Sequence, residues 1–348
     1  MKKYLIIFFI LASLSSCQNK DYALEHVSFT YDSFKSIELT NPDVISTEGM
    51  FLGKPVSINY HPQDFLLISD PKNTKQLIVF DLRAKRFMLE VNRGRSDNEL
   101  LHLKDVTIDG NNLYLSSTSD KKILKMAYNE NNRNFIFDKL FSFSNQFLRG
   151  IPYKDGFITL ASASSEDRFH IWDKHLNVID TLGTFPSQGI NAEGSLHNGV
   201  LQSDIGVYSD YVVCAYKGVD YIDIYKDLTL VRRLRGPELD DVSIKIKEYP
   251  NGMVATYLTP DKITYSKIVT NNDGFWVGYN GCVIEEKEIP TSDELKIKKI
   301  FHFKWDGTPC ESYILDNPIS DFTIDHTTNT LYGLTDNPEP ILISYKLL

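Results

Sequence analysis

One pattern recurs six times along the chain, and few folds can accommodate it. A turn rich in Gly, Asp, Asn or Pro precedes an apolar run of strand length, and a second turn and a second run follow. The first runs are FLLISD (65–70), NLYLSS (112–117), FITLAS (157–162), YVVCAY (211–216), FWVGYN (275–280) and TLYGLT (330–335). The second runs are QLIVFDL (76–82), KILKMAY (122–128), RFHIWDK (168–174), YIDIYKD (221–227), KIFHFKWD (299–306) and PILISYK (340–346). Each alternates or is wholly apolar, as half-buried and fully buried strands are. The turns before the first runs, such as DGN (109–111), KDG (154–156) and NNDG (271–274), supply the positive φ angles of tight hairpins.

A further strand lies upstream of each pair: VSINY (56–60), DVTI (105–108), GIPY (150–153), IGVY (205–208), TYSKIV (264–269) and SDFTI (320–324). The first five repeats also have a downstream strand, and the sixth runs out at Leu348. Four strands repeated six times predict an all-β fold, a six-bladed β-propeller of four-stranded blades over residues 26–348. A β-sandwich pair does not explain so regular a period, and a β-helix needs a shorter one. The ring is expected to close through an N-terminal strand, with HVSFTYDSFKSIEL (26–39) pairing with 340–346 as the missing outer strand of blade 6.

The first residues, MKKYLIIFFILASLSSC, have a different character. Lys2 and Lys3 precede an apolar run, Tyr4 to Ala12, too short for the roughly 20 residues of a membrane span. This is the pattern of a signal peptide, assigned to residues 1–16. Leu14-Ser15-Ser16-Cys17 resembles the bacterial lipobox, which implies acylation of Cys17 and a lipidated tether over 17–25. Gln18 stands where Asp would resemble an inner-membrane retention signal, so an outer-membrane location is expected, with the leaflet left open. The remaining Cys214, Cys282 and Cys310 are odd in number, which argues against a disulfide framework. They are expected to be small buried hydrophobes.

The lipobox, the six long blades and a recurring Tyr-x-Gly (Ala215-Tyr216-Lys217-Gly218 and Gly278-Tyr279-Asn280-Gly281) resemble the TolB-like six-bladed propeller lipoproteins of Bacteroidetes, over roughly residues 45–348. Those proteins carry a Gly-x-Gly-Pro-x-Glu-Phe-like segment after the first blade. Here Arg93 to Leu100 keeps a Gly and a Glu but lacks the second Gly and the Pro. The resemblance implies a fold and an envelope location, and no chemistry.

Function is less legible. A net charge of −9 argues against nucleic acid, whose phosphates require a basic surface. No P-loop, dinucleotide fingerprint or His-Glu-x-x-His occurs, so no cofactor is expected. The eight His are scattered, so no metal site is expected either. Ser195 and His197 share a loop but lack a Gly-x-Ser-x-Gly elbow. Arg232, Arg233 and Arg235 read as charges guarding the outer edge of blade 4.

Loop lengths carry more information. Four crossings per blade put the blade-to-blade and 2–3 connections at one end of the disc. The long connections, 92–104, 186–204, 236–262 and 280–297, all belong to that set. Long loops in a compact domain are usually functional, so this face is the expected binding face. Within 236–262, alternation on both sides of Pro250-Asn251-Gly252 predicts an extra hairpin. Arg93, Arg95, Glu99, His102, Arg149, His197, Tyr249 and Tyr257 are the candidate ligand-binding residues. The reading is a monomeric, non-catalytic module anchored in the envelope through Cys17 alone, binding an envelope protein, a peptide or a glycan fragment. The alternative is a propeller hydrolase or lyase with its active site at the channel mouth.

Overall fold

The computed structural model describes residues 25–347 apart from 47, 49–50, 164, 166, 187, 189, 193–197, 249, 253, 285–292 and 337–338. Cys17, His197 and Tyr249, with the proposed signal peptide, lie outside the described residues.

The described residues form six antiparallel four-stranded blades in a ring, a six-bladed β-propeller. The inner strands are Ser57–His61, Asp105–Asp109, Phe147–Tyr153, Ser203–Tyr208, Asp261–Thr270 and Asp321–Asp325. Each is followed by a tight 1–2 turn, where Asp64, Gly110, Lys154, Ser209 and Asn329 take positive φ. The 3–4 turns are closed by side chains that accept from the backbone ahead of them. Asp81 takes the Arg83 and Ala84 N–H groups, Asp173 that of His175, and Asp306 that of Thr308.

The core is divided among the seams between blades. Phe65, Leu67, Val79, Leu113 and Leu115 fill the seam of blades 1 and 2. Trp172, Phe143, Phe157 and Ile123 fill the next, and Trp276, Ile300, Phe322 and Leu331 that of blades 5 and 6. Trp172, Trp276 and Trp305 are thus seam residues.

The N-terminal segment closes the ring differently from expectation. Residues 26–39 do not pair with 340–346. Glu25–Ser28 instead adds in parallel to Arg232–Arg235 as a fifth strand of blade 4. Lys35–Leu39 adds in parallel to Glu311–Leu315 on blade 5. Only Asp43–Ile45 pairs with Leu342–Ser344 to complete blade 6. The cause is a 3-10 turn at Tyr31–Ser33, which breaks the stretch in two. Phe29 and Phe34, on either side of that turn, pack into the seam of blades 4 and 5, where Phe34 stacks on Phe301 at 4.7 Å.

The edge reading of the arginine cluster is also corrected. That edge is covered by Glu25–Ser28. Arg233 is buried, donating to Asp223 through Nε at 2.6 Å and Nη2 at 2.8 Å. The expected hairpin is present as Val242–Glu248 and Val254–Thr259. It is joined by Ile190–Ala192, running parallel to its first strand, to form a small side sheet.

Candidate functional site

Side chains from the upper ends of all six inner strands meet at the channel mouth, the end with the long connections. Going round the ring they are Ser57, Asp105, Arg149, Asp204, Lys267 and Asp321. From blade 2 onward, acids alternate with bases. Arg149 reaches both its neighbours: Nη2 is 2.6 Å from Asp105, and Nη1 donates to Asp204. Lys267 lies 3.4 Å from Asp321 and 3.9 Å from Asp105, and donates to Asn59 Oδ1 at 2.9 Å. The acids also tie blades together through the backbone. Asp321 Oδ2 accepts the Ile58 N–H at 2.8 Å, and Asp204 Oδ2 that of Ile268 at 3.2 Å.

This layer is recessed, which makes its charge balance matter. Burial would raise Asp204, but Arg149, Lys217 and Lys267 outweigh it and hold the carboxyl below the usual range. Asp321 has the weaker cationic partner. Burial pushes it up to about 6, with Asp105 and Asp204 adding to the rise and Lys267 opposing it. Arg149 is held more firmly protonated than an ordinary arginine, because Asp105 and Asp204 overcome the effect of burial.

Above the layer lies a cavity of about 330 Å³, lined by Lys104, Asn198, Gln202, Ser203 and Lys217. Among the described residues Lys104 Nζ donates only to the Leu148 carbonyl, at 3.0 Å. It is solvent-accessible yet set over the recess, and lost hydration followed by the nearby Lys217 charge lowers its pKa. Lys217 is exposed, and its side chain has no hydrogen-bond or ion-pair partner among the described residues. It occupies the variable position of the first Tyr-x-Gly. Gly218 leaves room for Leu258 of the side hairpin, whose Cδ1 would lie 2.3 Å from an added Cβ.

The sequence-derived candidates separate. Arg149 lines the cavity, with its terminal nitrogens engaged by carboxylates. Arg93, Arg95, Glu99 and His102 lie on the 92–104 connection and do not line it. Arg93 Nε donates to the Leu101 carbonyl at 3.2 Å, and Glu99 accepts the Ser96 N–H at 3.1 Å. The connection is pinned from below by buried Gln76, which donates to Leu100 O and accepts from Leu103 N–H. Burial and the Arg93 charge lower the His102 pKa. Tyr257 is 41% exposed on the side hairpin, away from the cavity. Asp204, Lys267, Lys104 and Lys217 were not among the candidates. A shared register could have shown Asp204, since Lys104-Asp105-Val106, Ser203-Asp204-Ile205 and Ser320-Asp321-Phe322 begin the inner strands of alternate blades.

The family model for TolB-like six-bladed propellers matches residues 33–327. The chain belongs to this family. Two solved Bacteroides structures share its fold. A putative exported protein from Bacteroides fragilis is 12% identical with a TM-score of 0.54, covering 92% of this chain and 99% of its own. A member of the DUF4221 family from Bacteroides vulgatus is 11% identical with a TM-score of 0.55, covering 88% and 95%. At such identity the likeness of these two structures to this TolB-like propeller is one of fold. No curated protein matches the chain.

Proposed function

We propose that this TolB-like propeller is a non-catalytic binding module of the cell envelope, taking a carboxylate-bearing peptide or glycan fragment at the channel mouth. The observation that carries the reading is the pair of rim lysines. Lys104 and Lys217 stand over a floor of three carboxylates and two cations, so the four cations of floor and rim exceed its acids and leave room for an incoming carboxylate. An incoming carboxylate would offset the lost hydration and the Lys217 repulsion that lower the Lys104 pKa. The lipobox-like Leu14 to Cys17, with Gln18 after it, supports anchoring in the outer membrane. A structural neighbour described as a putative exported protein is consistent with that location.

The test is isothermal titration with a panel of acidic peptides and uronate- or muramate-bearing glycan fragments. Binding should weaken at least tenfold in Lys104→Gln/Lys217→Gln and fall with added salt. Unchanged affinity in that variant would overturn the reading. The hydrolase alternative rests on Asp321, a carboxyl raised to about 6 and hence suited to proton transfer. Cleaved products in the same titrations, lost in Asp321→Asn, would favour it.

A further inference from the structure

We propose that His302, Cys310 and Glu311 form a binding site for a zinc-class divalent cation on the outer half of blade 5. One donor atom from each of these residues lies within 4.8 Å of the other two. The site is separate from the channel mouth. It sits beside the 3–4 turn of blade 5, at the opposite end of the disc.

The local backbone explains how three donors converge. Cys310 and Glu311 are consecutive, and consecutive side chains on a regular strand point to opposite faces. Here Phe301 pairs with Ser312 and Phe303 with Pro309, so two residues stand opposite the single His302. That is a β-bulge, which re-aims a side chain. It brings the thiol and the carboxylate toward one imidazole. His302 Nδ1 is 2.7 Å from Glu311 Oε2. The imidazole is fixed from behind by Trp276, stacked at 4.1 Å with an interplanar angle of 6°.

The donors are available. Cys310 is a free cysteine, and its Sγ donates a weak hydrogen bond to the Thr308 carbonyl at 3.6 Å. Glu311 has no lysine or arginine partner among the described residues. Lys35 lies beside it in strand register without forming an ion pair. The His302 and Glu311 side chains are 14% and 32% exposed, so an ion can reach them from solvent. Cys310 is half-buried, not the buried hydrophobe expected from sequence.

The donor set selects the ion. One imidazole, one thiolate and one carboxylate suit zinc and its neighbours, while magnesium and calcium require oxygen ligands alone. A tetrahedral zinc site needs donor separations of about 3.3–3.6 Å. The His302–Glu311 contact would open by roughly 0.6 Å and Cys310 would close in, small rotamer changes on a fixed backbone. Binding releases the Cys310 thiol proton to solvent. Three protein ligands leave the fourth position to water.

The experiment is titration of the full chain with Co(II), followed by displacement with Zn(II). The expected result is one equivalent of Co(II) with a thiolate-to-metal charge-transfer band and tetrahedral d–d bands, quenching of Trp276 fluorescence, and loss of the cobalt spectrum on adding zinc. Cys310→Ser should abolish the charge-transfer band, and Glu311→Gln or His302→Ala should weaken binding at least tenfold. Cys282→Ser should leave the spectrum intact. The Tm of metal-free Cys310→Ser should match that of the parent, which separates lost binding from lost fold, whereas His302→Ala also removes the stack on Trp276. No charge-transfer band at stoichiometric cobalt, or a band that survives Cys310→Ser, would overturn the site.

Discussion

The two ends of the central channel are built from the same six strands and differ in where they keep their charges. At the upper end, blade-to-blade and 2–3 connections surround a charged layer with lysines above it. At the lower end, tight 1–2 turns surround a wider recess of about 680 Å³ lined by Ile108, Ile151 and Val207 and, on the turns, by Asp109, Lys154 and Asp210. Arg149 and Lys267 line the cavity on each side of the layer, so the ion pairs divide the channel. Strand alternation and register set this polarity. In blades 2 to 6 the residue at the upper layer carries charge, with Ser57 in its place in blade 1, and further down Ile151 and Val207 share the wall with Asn59, Thr107, Thr323 and Asp325. The buried ion pairs that join the blades and the rim lysines proposed to bind thus lie at the same end.

The largest expected effect of breaking this contrast is at Arg149. Arg149→Ala leaves Asp105 and Asp204 buried without their shared cation, which should cost about 3–5 kcal/mol. Thr107→Ala at the lower end should cost about 1 kcal/mol or less. Urea melts of the two variants make the comparison, and equal losses would mean that the charged layer is not a structural keystone.

Asp321 gives the next effect, and its sign follows from its raised pKa. Between the ordinary carboxylate value and about 6, the folded chain holds a proton that the unfolded chain has released. Stability therefore falls as pH rises through that window, by up to about 3 kcal/mol. Asp321→Asn should remove this contribution. The Tm difference between variant and parent should shift in the variant's favour from pH 4 to pH 7, and a flat difference would show that Asp321 titrates normally.

The smallest stability effects are expected at the rim. Lys104→Gln/Lys217→Gln should change stability by about 0.5 kcal/mol or less, since neither lysine side chain is in an ion pair among the described residues. Enlarging the Asp109-Gly110-Asn111 turn with two glycines should be similarly mild and leave ligand affinity intact. A large stability loss from the rim change would recast these lysines as structural.

Fold and site were unequally legible, for physical reasons. Blade strands announce themselves through local alternation and turn residues, so FLLISD and its counterparts fell into place. The N-terminal segment misled because pairing of an added strand is set by the partner's shape. Phe29 and Phe34 fit the seam of blades 4 and 5, a fact no local pattern carries. Arg149 was found because it directly precedes the run GIPY (150–153), although the inner strand itself begins at Phe147. Lys267 was missed because Asp261–Thr270 is longer than the other inner strands and its charged position is displaced along it. Cys310 and Glu311 were unreadable as a pair, since alternation puts them on opposite faces until the bulge is known.

The central claim is that the upper mouth is the binding face. Isothermal titration of one acidic fragment into three proteins tests it most directly: the parent, Lys104→Gln/Lys217→Gln at the upper rim, and Lys154→Gln at the lower turns. The account predicts at least a tenfold loss for the rim variant and parental affinity for Lys154→Gln. Parental affinity in the rim variant with loss in Lys154→Gln would contradict it and move the site to the other end of the channel.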